Sequence, residues 1–217
     1  QECKIDNTYD KVVNLKYSNI LSSYQPDAIV LLDNKKNYFL IAGEGDAKKN
    51  DKVNISGNNV TFVSNYYLTK NNKKVMFGSR SIALIDKNIN ILWDSCDDFA
   101  TEIEQKHKDF FNNSYKMDKP DISSAYNGSA PEMIKIFKKG SNTFVFTVLE
   151  NLGGFFVHKY DDVQFKSIGF IFAEKEAVNF NKPEGIDIFF SKDKDFIFQA
   201  NEGSGSIDVF EIINNLM

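Results

Sequence analysis

The sequence predicts an all-β protein built of propeller-type blades. Three observations carry this: an aromatic-rich strand composition, a hairpin grammar that recurs, and a repeat spacing near 50 residues. The chain of 217 residues holds 20 Phe and 9 Tyr against 1 Trp, and flat aromatic side chains suit a pleated, half-buried surface. That length supports a sizeable core, and one domain is the expectation.

The grammar is visible in three segments. PDAIVLLDNKKNYFLIAGEGD starts at Pro26, PEMIKIFKKGSNTFVFTVLENLGG at Pro131 and PEGIDIFFSKDKDFIFQANEGSGS at Pro183. Each opens with Pro and an acid, runs through apolar residues to a polar turn of four or five residues, then through a second apolar run to a Glu. From Pro to that Glu is 18, 19 and 19 residues, ending at Glu44, Glu150 and Glu202. Glycines then precede a third run, GGFFVHKY or SGSIDVFEI, so the unit is a meander of at least three strands.

Spacing sets the expected architecture. Pro131 to Pro183 is 52 residues and Pro26 to Pro131 is 105, close to twice that. A diverged unit is expected between them, with VMFGSRSIALID and INILWDS as its strands and Lys87, Asn88 at the turn. A β-only repeat of this size fits a propeller blade. The predicted organisation is an N-terminal segment, 1–25, that completes a blade, then four blades at 26–77, 78–130, 131–182 and 183–217. The polar stretches Lys48 to Asn59 and Gln105 to Asn127 read as loops, the second with one or two helical turns around EIEQKHKDFF. Blades bury their faces only against neighbours, so a partial ring leaves two open flanks.

Propellers gather such turn residues at one mouth of the channel. Glu44, Asp46, Glu132, Glu150, Glu184 and Glu202 are therefore the candidate metal ligands, because clustered carboxylates repel unless a cation or a basic group joins them. The competing reading has each Glu accepting backbone N–H groups at its own turn and binding nothing. Pro at the first position of a strand gives up no ladder bond.

The balance of 26 Lys+Arg against 30 Asp+Glu leaves a net charge of −4, so no chain-wide positive field draws in nucleic acid. No apolar run approaches the ~20 residues of a membrane helix. His107 and His158 are the only histidines, and HExxH, the Gly-x-Ser-x-Gly elbow and the phosphate-binding GxxxxGK[ST] loop are all missing, which leaves no assembled catalytic set. GEGDAK at Gly43 reads as a turn, since its acids oppose an anion. The chain opens on Gln1 rather than Met, and a cleaved signal peptide is the expected upstream segment. Sequons at Asn54, Asn59, Asn112 and Asn127 are the glycosylation candidates of a secreted chain. Cys3 and Cys96 fit neither a metal knuckle nor a CxxC pair. In an oxidising compartment they pair and close a long loop; otherwise they are two thiols.

Several of these motifs, in this order, resemble the choice-of-anchor I family: PDAI with FLIAGEGDA, FGSRS leading to WDSCDDFATEI, LENLGGFFVHKYD, then PEGIDIFF with QANEGSGSIDVFEI. The resemblance runs from Pro26 onward and corresponds to the carboxyl-terminal half of that family. It implies a secreted or surface-anchored β-propeller, extracellular in location, with calcium as the cation of such a setting. The missing front blades imply a partner: another chain, or self-association. The family pattern has glycine at Cys96, arginine at Asn151 and glycine at Met133, and these departures weaken an inherited site. Arg80, the only arginine, lies in the matching GSRS and is expected in a structural ion pair, where its planar guanidinium suits carboxylates. The expected function is a structural, adhesive or assembly module, stabilised by calcium. The alternative, implied by phosphatase-like relatives alone, is a calcium-dependent phosphoesterase.

Overall fold

In a computed structural model, the structure describes residues 3–5, 16–18, 21–44, 52–55, 58–61, 66–68, 74–113, 120–121, 123–124, 127–173 and 181–213. Within these the main architecture is three antiparallel sheets. Sheet 1 contains β1 (Pro26–Asp33), β2 (Tyr38–Gly43), β3 (Ile82–Ile85) and β4 (Ile91–Asp94), in that spatial order. The helix α1 (Asp98–Lys106) follows. Sheet 2 is a four-strand meander of β5 (Pro131–Lys139), β6 (Asn142–Leu149), β7 (Gly154–Tyr160) and β8 (Phe165–Ile171). Sheet 3 is β9 (Pro183–Phe190), β10 (Asp195–Asn201) and β11 (Ser206–Ile212).

The sheets stand side by side, with β5 packed against both β1 and β9, so the opening strands form an inner row as in a propeller. Two apolar seams hold them. Between sheets 1 and 2, Leu32, Leu40 and Leu84 meet Ile134, Val145 and Phe156. Phe99 and Ile103, one helical turn apart on α1, close this seam from one side. Between sheets 2 and 3, Phe137, Phe146 and Phe155 meet Ile186, Ile188 and Ile197. Each such side chain fully removed from water is worth about 1.5–3 kcal/mol.

The structure corrects the expected blade count. Strands β3 and β4, assigned from sequence to a separate second blade, pair directly with β2 and complete sheet 1. Among the described residues, the 105-residue interval therefore holds a single four-stranded sheet, with an insertion between its second and third strands that includes a hairpin and the strands Tyr66–Leu68 and Lys74–Phe77. Among the described residues of the segment 1–25, no strand joins sheet 1: Cys3–Ile5 pairs with Lys16–Ser18, and Leu21–Ser23 lies parallel to Lys74–Phe77. Part of the expected loop Lys48 to Asn59 is the hairpin Lys52–Ile55 with Asn58–Thr61. The turn between β5 and β6 is shorter than expected, two residues with Gly140 at φ 60°.

Candidate functional site

The three hairpins carry their acids to one end of the sheets by the same device. In each, the opening proline pairs with the residue just before the recurring glutamate: Pro26 with Gly43, Pro131 with Leu149 and Pro183 with Asn201. A register shift follows each proline and takes in Asp27, Glu132 and Glu184; bulges of this kind re-aim side chains at sheet ends. The residue before each proline has positive φ: Gln25 39°, Ala130 49° and Lys182 41°. That region is uncommon for a residue other than glycine. The backbone N–H of Glu150 donates to the Ala130 carbonyl (2.9 Å), and that of Glu202 to the Lys182 carbonyl (3.1 Å).

Carboxylate oxygens of Asp27, Glu44 and Glu132 all lie within 4.8 Å of one another. Two come from the ends of sheet 1 strands and the third from the start of sheet 2, so the group straddles the first seam. Glu132 is buried, Glu44 half-buried and Asp27 exposed. Burial above all, then the hydrogen bond with Asp27 and the charges of Glu44, Asp27 and Glu150, pushes the Glu132 carboxyl up to about 10. Glu184 is raised too, by partial burial first, then by the charges of Glu150 and Glu202 and a hydrogen bond with Glu202, against the lowering pull of Lys182. The Lys182 ammonium reaches Glu150 at 2.5 Å and neutralises one acid of the row.

Of the six candidate ligands, Glu44 and Glu132 enter the triad and Glu150 borders it with a lysine of its own. Glu184 and Glu202 form an exposed neighbouring pair, and Asp46 lies outside the described residues. Asp27 was missed, although it is the acid after Pro26 in the repeated grammar. Asn127 was singled out only as a sequon. Its amide donates to Glu44 Oε1 (3.2 Å), and its carbonyl accepts from Asn151 Nδ2 (2.8 Å), which also donates to the Gly128 carbonyl (2.9 Å).

The remaining candidates fall elsewhere. Arg80 is buried, with φ 57°, and donates from Nη2 to the Ser124 carbonyl (2.8 Å). Gly128 lies over it, where a Cβ would come within 2.7 Å of Arg80 Cδ. Cys3 and Cys96 form a disulfide, and Cys96 sits at φ 59°, a conformation that favours glycine. The Asn112 side chain is buried and its amide donates to Ser124 Oγ (2.7 Å), so the folded chain leaves no room for a sugar at that sequon. The side chains of Asn54 and Asn59 lie outside the described residues. His158 is buried among Trp93, Phe99 and Phe156, with Nε2 3.0 Å from Asp98 Oδ2; this pins α1 to β7.

Sheets and mouth together define an all-β protein of propeller-like blades with a carboxylate cluster at one end. The choice-of-anchor I domain family model matches residues 59–163, a stretch that runs from ahead of β3 through β7 and covers the GSRS, WDSCDDFATEI and LENLGG motifs. The match agrees with the resemblance in sequence and gives this stretch an anchor-related β-domain as its kin. No curated protein matches the chain. A crystal structure described as a candidate 6-phosphogluconolactonase from Bacteroides fragilis is 14% identical, with 93% of this chain and 74% of that chain covered. Its TM-score is 0.24, so that likeness carries no argument.

Proposed function

We propose that this chain is a structural, adhesive or assembly module of β-propeller type, secreted or held at a cell surface, with a calcium ion clamping its acidic mouth. The observation that carries the proposal is the cross-sheet triad of Asp27, Glu44 and Glu132 within 4.8 Å. Three carboxylates so close are stable only with a proton or a cation among them. Hard oxygen donors with no imidazole or thiolate in the group suit calcium, which takes six to eight oxygens in flexible geometry. Bound there, the ion would tie β1 and β2 of sheet 1 to β5 of sheet 2. Another protein chain, either the front half of a larger propeller or a further copy, completes the module at its open flanks.

Thermal melting with calcium and with chelator tests the clamp. A site held at a hundred times its Kd adds about 2.7 kcal/mol, or roughly 5–10 °C in a chain of this size. The wild type rises by that much, and Glu132→Gln does not respond. Identical curves for the wild type would retire the calcium reading. Hydrolysis of a generic phosphomonoester with calcium, abolished in Glu132→Gln, would replace the structural role with a phosphoesterase.

A further inference from the structure

The two seams between the main sheets reach the mouth through the same set of positions. Each seam has the acid after one sheet's opening proline, the Glu after that sheet's second strand, and the acid after the next sheet's proline. The first seam therefore carries Asp27, Glu44 and Glu132, and the second carries Glu132, Glu150 and Glu184. Glu132 belongs to both. It feels the charges of Glu44, Asp27 and Glu150, while Glu184 feels those of Glu150 and Glu202, so repulsion among acids acts at each seam.

One position separates them. The residue before the proline of sheets 2 and 3 has the same left-handed backbone, φ 49° at Ala130 and 41° at Lys182. In both, its carbonyl accepts the N–H of the Glu that follows the sheet's own second strand, Glu150 and Glu202 in turn. From this position Lys182 Nζ reaches back to Glu150 Oε1 of the preceding sheet at 2.5 Å, with side chains only 21% and 11% exposed, where an ammonium and a carboxylate attract more strongly than in open water. With the backbone alike, a side chain at 130 leaves toward Glu44, the corresponding Glu of sheet 1. Alanine brings no charge there, and Asn127, three residues earlier, offers Glu44 Oε1 a neutral amide (3.2 Å).

We infer that Lys182 is the second seam's own cation, a tethered ammonium standing where the first seam takes a free ion, and that the residue before the proline decides which of the two a seam uses. The inference rests on the calcium reading for the first seam and deepens it by assigning the second. A tethered charge cannot be removed by chelator. Loss of calcium therefore loosens sheet 1 against sheet 2 and leaves sheets 2 and 3 joined.

Calcium titration by calorimetry and melting in chelator test it, on the wild type, Lys182→Met and Ala130→Lys. The wild type is expected to bind one calcium per chain. Lys182→Met, which keeps an unbranched side chain and removes its charge, is expected to bind two, and to melt roughly 4–8 °C lower than the wild type in chelator, a loss that calcium restores. Adding Glu150→Gln to Lys182→Met restores it without calcium, which lost packing alone would not allow. Ala130→Lys is expected to bind none. A Lys182→Met chain that melts with the wild type in chelator, that keeps its loss when Glu150→Gln is added, or that binds one calcium where the wild type binds one, overturns the inference. So does a folded Ala130→Lys chain that still binds calcium. Ala130 is buried; should that variant not fold, Lys182→Met, at a partly exposed side chain, decides alone. A wild type that binds no calcium defeats the calcium reading of the first seam only, and the tethered cation is then judged by the melting of Lys182→Met in chelator and its recovery by Glu150→Gln.

Discussion

Glu132 concentrates the physical tension of this molecule. In the unfolded chain its carboxyl loses its proton near 4.5; in the fold, burial and neighbouring acids hold the proton to about 10. Between those values the folded chain binds a proton that the unfolded chain has released. Its contribution is therefore complete below about 4.5 and is lost as pH climbs toward about 10. In chelator, the urea midpoint of the wild type should fall between about pH 5 and pH 9, and Glu132→Gln should flatten the slope. A midpoint that climbs over that range would contradict the placement of Glu132. Glu44 and Glu132 were legible because the grammar repeats and turn residues at blade ends converge. Asp27 was readable in the same grammar, as the acid that follows its opening proline. Lys182 and Asn127 were not, since their approach to the acids depends on how 181–182 and 127–128 cross the mouth.

At the scale of elements, the strands and the meanders of sheets 2 and 3 were legible, and the membership of sheet 1 was not. Alternation and turn chemistry locate β1, β2, β5 to β7 and β9 to β11, the strands of sheets 1 and 3 giving one face to a seam and those of sheet 2 giving both. Spacing misled at β3 and β4: an insertion can lengthen one blade to the size of two, and pairing partners do not follow from periodicity. Seam residues should dominate stability. Phe156, buried between sheets 1 and 2 beside Phe99, should cost about 3–5 kcal/mol on substitution by Ala, read as a denaturant midpoint. The Cys3–Cys96 bridge spans 93 residues and ties the strand Cys3–Ile5 to the turn before α1. Cys96→Ser should cost about 4–5 kcal/mol in the chain-entropy model, and a midpoint indifferent to reductant would show the bridge to be unformed. Gly128→Ala should destabilise as well, because φ is +60° there and the new Cβ would meet the Arg80 side chain at 2.7 Å.

At the scale of the whole molecule, the three main sheets of the described residues stand in a row with their opening strands adjacent, and acids of sheets 1 and 2 meet at one end. A net charge of −4 on 217 residues is modest, so the mouth is a local concentration of charge rather than a reflection of the chain. Its members come from successive sheets, so whatever neutralises them also fixes how sheets 1 and 2 sit. The central claim is that a calcium ion does this in exchange for the proton on Glu132. Calorimetric titration with calcium near pH 7, in two buffers of different ionisation enthalpy, measures binding and proton release together. The account predicts saturable binding with a proton released, both lost in Glu132→Gln; no binding, or binding without proton release that survives that substitution, would contradict it.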